Sequence, residues 1–322
     1  MLVNGTWQAN WDPVQKKDEQ GRFIRQSSSF RDRISPEEIA VIKDKPTALP
    51  RHFSLYVAYI CPWATRVLIA RSLFELENVI DLKVTHPRLS DEGWFFGEYV
   101  NATAPSDVEF SHMHQLYTQT DANYTGRATV PVLWDNITGK IRNNESSDLL
   151  RILNEDFRPL HNSSYNIAPI ELLPEIDDFN EKIYNTFNNG VYRAGFASTQ
   201  EAYKEAYNEV FSTLEWLETH LHGKDYVVGN QLTESDIRLF VTLARFDCAY
   251  YGIFKTNKKM IRDYVNVSRY FEQLLEIKAF NENTFIDHIK AGYYSIKALN
   301  PTGIIPKGPY LPWYGKLKNK DV

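Results

Sequence analysis

The sequence predicts a two-part chain, an α/β unit on a mixed sheet followed by an all-helical unit. Three observations carry this. Phe53, Leu55, Val57 and Tyr59 alternate with smaller or polar partners, which is strand spacing. Residues 130–134 and 140–142 read as two strands around a turn at 135–139. Beyond residue 170 the apolar residues recur at helical spacing.

Residues 1–50 are polar and broken by turn formers, with prolines at 13, 36, 46 and 50 and a Ser27-Ser28-Ser29 run. They read as an extension wrapped on the surface, without core elements. The strand from His52 breaks at Cys61-Pro62. Helical spacing follows, with Trp63, Val67, Ala70 and Phe74 on one stripe. Pro62 suits the first helical position, where its missing N–H costs nothing. Residues 79–84 form a second strand, and residues 88–126 are loop-rich with Trp94-Phe95-Phe96 as an apolar island. Val130-Pro131 opens the next strand, a place where proline is tolerated. Residues 140–142 return, and a helix starts over 146–153. The predicted order across residues 51–157 is βαβ followed by ββα.

Residues 159–169 read as a linker. The helical unit, 168–299, has one stripe at Ile176, Phe179, Ile183 and Phe187. Another runs through Tyr203, Ala206, Val210, Leu214, Leu217 and Leu221. Thr233-Glu234-Ser235-Asp236 is a capping box opening a helix through Phe240 and Leu243, and residues 270–277 offer one more. Residues 300–322 form an irregular tail rich in Pro, Gly and Tyr.

The 322 residues are 43% hydrophobic and 24% charged, too apolar for a disordered chain. A net charge of -5 argues against a protein that depends on binding phosphate backbones. No nucleic-acid partner is expected. No segment approaches the ~20 apolar residues that span a bilayer, so no membrane partner is expected either. The start of the sequence lacks a basic segment followed by an apolar one. Seven Asn-x-Ser/Thr sequons therefore carry no weight, and the expectation is a cytoplasmic, reduced protein, with a mitochondrial pool left open.

Cys61 stands out. A cysteine between a strand and a Pro-initiated helix holds its sulfur at unpaired N–H groups and the positive end of the helix dipole. Thiols so placed have pKa values of about 3.5–7.5 and are nucleophilic at neutral pH. A small buried hydrophobe is the competing reading. Ala64 stands where a two-thiol redox loop needs a second cysteine, so any disulfide chemistry here requires an external thiol. Val130, just before Pro131, suits backbone pairing with an extended peptide or a plain edge strand. Asn144-Glu145-Ser146 heads a helix and suits either a carboxylate ligand or an ordinary cap. Cys248 sits in a helical apolar pattern and reads as core. His112-x-His114 and His220-x-His222 lack a third His or Cys at ligand spacing, so no metal is expected.

Several segments together resemble the glutathionyl-hydroquinone reductases, the Xi class of glutathione transferases, related to the omega-like enzymes. They are Cys61-Pro62-Trp63-Ala64, Gly93-Trp94, Thr129-Val130-Pro131-Val132-Leu133-Trp134-Asp135 and Asn143-Asn144-Glu145-Ser146-Ser147. Asn188-Asn189-Gly190-Val191-Tyr192-Arg193-Ala194-Gly195, Leu232-Thr233-Glu234-Ser235-Asp236, Arg245-Phe246-Asp247 and Asn300-Pro301-Thr302-Gly303 extend the match over most of the chain. The resemblance implies a thioredoxin-like N-terminal domain with a mixed sheet and an all-helical glutathione-transferase C-terminal domain.

It implies glutathione as co-substrate, no metal, and a homodimer. Carried onto this sequence, Cys61 is the nucleophile and Val130, beside a cis Pro131, pairs with the cysteinyl moiety. Glu145 and Ser146 hold the γ-glutamyl end, and Trp94, Arg127 and Thr129 bind the rest. Tyr192 is the proton donor, with Tyr250 and Tyr293 steadying the thiolate. Their neighbours Tyr251 and Tyr294 leave those two assignments open. Thr65 stands where the family often has His, Cys248-Ala249 replaces Pro-Val, and Arg193 is often Lys. The activity implied is removal of glutathione from glutathionyl-hydroquinones through a Cys61–glutathione mixed disulfide. The alternatives are an omega-like thioltransferase or dehydroascorbate reductase, and a non-catalytic module of the same fold.

Overall fold

In the computed structural model, which describes residues 1–9, 17–44 and 51–319, the chain divides into two units. The first comprises Met1–Asp12 and Gln26–Tyr165, the second Pro13–Arg25 and Asn166–Val322.

The first unit opens with a small hairpin, β1 (Leu2–Val3) and β2 (Thr6–Trp7), followed by helix α1 (Pro36–Asp44). Then come β3 (Phe53–Val57), α2 (Pro62–Leu73), β4 (Ile80–Val84), α3 (Met113–Thr120), β5 (Val132–Asp135), β6 (Lys140–Asn143) and α4 (Ser146–Glu155). The four-stranded sheet has the order β4-β3-β5-β6. β3 and β4 are parallel, as a crossover helix between them requires, and β5 and β6 are antiparallel to their neighbours. Every residue of β3 is buried, so the alternation read in the sequence is not one of exposure. Arg71, itself buried, donates from Nε and Nη2 to the Ile80 carbonyl at 3.0 and 2.8 Å, lashing the end of α2 to the start of β4.

Three expectations need correction. Residues 88–126 contain α3, so the order is βαβ, α, ββα. Met113, Leu116 and Tyr117 bury one face of that helix, but its other residues are polar and it is too short for the periodicity to stand out. Residues 1–50 also contribute core: Leu2, Phe23, Ile34, Ile39 and Ile42 are all buried. Residues 30–32 run beside the end of β6, with Asp32 N donating to Arg142 O and Asn144 N to Phe30 O, both at 3.0 Å. Finally, β5 begins at Val132. Val130 lies outside the ladder, and the Val130–Pro131 peptide is cis.

The second unit is helical. It contains α5 (Leu173–Ile183), α6 (Gly190–Gly195), α7 (Gln200–His220), α8 (Glu234–Arg245), α9 (Tyr251–Ile253), α10 (Val265–Leu275), α11 (Lys278–Asn281) and α12 (Ile286–Tyr293). Two five-residue π-helical turns interrupt the winding, Tyr184–Asn188 after α5 and Phe246–Tyr250 after α8. The predicted stripes of α5 and α7 are buried, although Tyr203 at the head of the second is half exposed. The Thr233 capping box forms as read. Asp236 is buried and accepts from Thr233 N, Val227 N and Tyr270 Oη at 2.8, 3.0 and 2.8 Å, tying α8 to α10. The helix expected over 270–277 starts earlier, at Val265. α12 escaped the sequence reading. Phe23 packs on Phe196 with ring centroids 5.6 Å apart, and the tail buries Trp313 against Phe271 at 5.0 Å.

Candidate active site

Cys61 caps α2 with an extended backbone (φ −75°, ψ 118°), and Pro62 takes the first helical position. Its thiol is half-buried and donates to the Val130 carbonyl across 3.6 Å. Thr65 directs both its backbone N–H and its hydroxyl to the Cys61 carbonyl at 3.0 Å, closing the first turn of α2. Cys248 contrasts with this. It is fully buried, its thiol donates to helix carbonyls, and burial pushes its pKa up to about 12, as expected of an inert core cysteine.

The segments around Val130 and Glu145 are held together by Tyr117 of α3, which the sequence reading missed. Its buried hydroxyl donates to Thr129 O at 3.0 Å and accepts from Thr129 N at 3.1 Å and from Asn144 Nδ2 at 3.0 Å. Burial raises this phenol to about 12, so it stays a neutral donor. Glu145 caps α4. Its Oε1 accepts from Ser147 N at 3.1 Å and Ser147 Oγ at 2.9 Å, and its Oε2 accepts from Ser28 Oγ at 2.9 Å. Ser146, next in the chain, is buried at the first turn of α4. Ser28 was invisible in the sequence because a serine run reads as loop. Arg127 is half-buried, and its N–H donates to Gln26 Oε1 at 3.1 Å.

Trp94 follows a tight turn. Gly93 has φ +83°, and a Cβ there would meet Trp7 Cη2 at 3.0 Å, so both conformation and space call for glycine. Trp7 also donates from Nε1 to Asp91 O at 2.9 Å. The hairpin at the chain's start thus supports the turn that presents Trp94.

In the second unit, the hydroxyls of Tyr192, Tyr250 and Tyr293 meet. Tyr192 Oη lies 2.5 Å from Tyr293 Oη and 3.5 Å from Tyr250 Oη, and the last two are 2.9 Å apart. Tyr250 sits at the end of the second π turn, Tyr293 at the end of α12 and Tyr192 within α6. Burial pushes the Tyr250 and Tyr293 phenols well above their ordinary value, and the adjoining Tyr192 phenol adds to this. The Tyr294 hydroxyl lies instead against Gly252. The Arg25 guanidinium lies 5.0 Å over the Tyr192 ring, held by a 3.0 Å bond from Nε to Asn189 Oδ1. Sequence reading missed Arg25 because it sits in a stretch without periodicity.

Comparison with known proteins decides the family. Residues 60–156 match the glutathione S-transferase N-terminal domain and residues 200–273 its C-terminal domain. The glutathionyl-hydroquinone reductase PcpF of Sphingobium chlorophenolicum is 42% identical over 316 residues, 98% of each chain. This chain belongs to the glutathionyl-hydroquinone reductase family. The glutathione transferase Xi of Phanerochaete chrysosporium superposes with a TM-score of 0.85 at 42% identity, covering 91% of this chain and 95% of that one. The glutathione-bound structure of YqjG, a glutathione transferase homolog of Escherichia coli K-12, gives 0.83 at 36% identity over 96% of both. The glutathionyl-hydroquinone reductase fold is therefore the thioredoxin-like and helical pair that the sequence predicted.

Proposed function

We propose that this chain is a glutathione-dependent reductase that removes the glutathionyl group from glutathionyl-hydroquinones, with glutathione as co-substrate and Cys61 as nucleophile. In the first half-reaction the Cys61 thiolate attacks the substrate sulfur. The aryl carbon–sulfur bond breaks, a Cys61–glutathione disulfide forms, and the aryl carbon takes a proton from Tyr192. In the second, the thiolate of another glutathione attacks that disulfide. Glutathione disulfide leaves, Cys61 is restored, and the incoming thiol's proton replaces the one Tyr192 gave up. Hydroquinone and glutathione disulfide are the products, and the two electrons come from the two glutathionyl sulfurs.

Exchange of this kind is fastest when the attacking thiol titrates near ambient pH, which a helix N-terminus favours. Tyr250 and Tyr293, kept neutral by burial, are suited to donate to the Tyr192 oxygen as it becomes a phenolate. Glu145, Ser146, Trp94, Arg127, Thr129 and Val130 are assigned to glutathione. Steady glutathione supply and a reduced thiol fit a cytoplasmic enzyme. We assign it a homodimeric state, which analytical ultracentrifugation tests directly. Among the described residues, no helix is long and apolar enough to cross a membrane.

The observation that carries this reading is a lone cysteine at the N-terminus of α2 in a chain of this family. The test is mass spectrometry after mixing with glutathionyl-menadione in the absence of free glutathione. One glutathionyl group on Cys61 is expected. Full turnover by Cys61→Ser, or a label on Cys248 alone, overturns it.

A further inference from the structure

Apart from the residues assigned to glutathione, the first unit gathers a second set of donor groups at the Trp94 segment. The turn at residues 90–93 closes through Ser90 N to Gly93 O at 2.9 Å and Gly93 N to Ser90 O at 3.1 Å. Beyond it the backbone pairs with the approach to α3, Met113 N donating to Trp94 O and Phe96 N to Ser111 O, both at 2.9 Å. This pairing carries Glu92 to His112 and His114. One ligand atom from each of the three lies within 4.8 Å of the other two.

Glu92 Oε2 and His114 Nε2 are already 3.0 Å apart. Atoms bound side by side to one ion at about 2.0–2.1 Å are separated by about 2.9–3.4 Å, so this edge stands at ligand spacing. The two imidazoles stack with centroids 5.4 Å apart and planes 26° from parallel. His112 Nδ1 lies 3.0 Å from Ser111 Oγ and Trp7 stacks on His114 at 4.9 Å, so both rings are held in place. Glu92 is exposed, so its carboxylate is free to close the remaining gap.

We propose that Glu92, His112 and His114 bind a divalent late first-row transition ion of the zinc type, and that the bound ion clamps the turn presenting Trp94. Two imidazoles and a carboxylate are a donor set such ions favour, with water completing the coordination. A second cluster, Glu38, His52 and Asp135, has similar spacing but a different fate. There Arg142 reaches Glu38 at 2.8 Å and Asp135 at 3.3 Å, so a guanidinium already supplies the positive charge. Among the described residues no lysine or arginine pairs with Glu92.

The clamp rests on the assignment of Trp94 to glutathione; the ion site does not. Cys61→Ser protein, used to silence the half-buried thiol, is titrated with Zn²⁺ by calorimetry and with Co²⁺ while histidine ring resonances are followed. One ion per chain at micromolar concentration is expected, with the His112 and His114 signals lost first. Glu92→Gln and His112→Asn each should weaken binding at least tenfold. No uptake at millimolar Zn²⁺, or unchanged binding by both variants, overturns the site. S-methylglutathione, whose sulfur is blocked, is then titrated with and without Zn²⁺. Several-fold tighter binding with the ion, lost in Glu92→Gln, supports the clamp, and by linkage the ligand tightens the ion equally. An unchanged affinity overturns the clamp alone. Failure of S-methylglutathione to bind under either condition counts against the glutathione assignment and therefore the clamp, leaving the ion result to stand.

Discussion

The Tyr117 hydroxyl and Thr129 exchange two hydrogen bonds, the phenol donating to the carbonyl at 3.0 Å and accepting from the amide at 3.1 Å. Because Asn144 Nδ2 also donates to this oxygen, one buried phenol sets the spacing between the Val130 segment and the start of α4. Tyr117→Phe strands a buried donor, Asn144 Nδ2, and a half-buried one, Thr129 N. A loss of about 1–3 kcal/mol is expected, read as a lower denaturation midpoint, together with a raised KM for glutathione.

Ser28 acts on Glu145 from a segment that looks featureless in sequence. Its hydroxyl fixes Oε2 at 2.9 Å. Ser28→Ala is expected to raise KM for glutathione by about five- to tenfold, the worth of an ordinary hydrogen bond, while kcat moves little. A kcat loss with KM unchanged contradicts this.

Replacing Tyr192 by Phe separates the proposed reaction from simple thiol exchange. A loss of about 10²-fold or more is expected with glutathionyl-menadione, the scale of general acid catalysis. A plain glutathione mixed disulfide should be affected little. Tyr250→Phe and Tyr293→Phe should show the same selectivity more weakly. Both phenols ionise above 10.0 in the folded chain, so the folded state holds protons that the unfolded state releases. Stability contributed by these two residues is thus present below pH 10 and falls above it, which pH-dependent chemical denaturation measures.

Arg25 lies over the Tyr192 ring, where a cation favours the phenolate left after proton transfer. Arg25→Gln should slow glutathionyl-menadione reduction severalfold without affecting mixed-disulfide exchange. Arg25→Lys should recover part of the loss. Equal effects on both substrates indicate a merely structural role.

Alkylation by iodoacetamide at pH 6 should modify Cys61 faster than free cysteine and leave Cys248 untouched until unfolding. Peptide mapping distinguishes the two sites. Cys61 reacting no faster than a free thiol favours a non-catalytic module.

What was legible in the sequence followed strong local signals. Cys61-Pro62, the Val130-Pro131 pair and the Thr233 capping box each announce a break or a start through chemistry confined to a few residues. Buried stripes of α5 and α7 were equally plain. Hidden features depend on contacts far apart in the chain. Tyr117 is one polar-looking residue in a short helix until Thr129 and Asn144 reach it. Ser28 and Arg25 sit in aperiodic segments whose order comes from what they touch. Glu92 joins His112 and His114 only because two loop segments pair, so a search for spacing along the chain overlooks it.

The π turn at Phe246–Tyr250 has a geometric consequence for how the phenol cluster is kept. A regular helix advances about 100° per residue, and a π turn absorbs one extra residue without passing it on as rotation. Winding Phe246–Tyr250 as a regular helix with every residue kept would pass that rotation on and swing the Tyr250 side chain around the axis, away from Tyr293. Sequence optimised for ideal helicity would erase the arrangement while strengthening the scaffold around it.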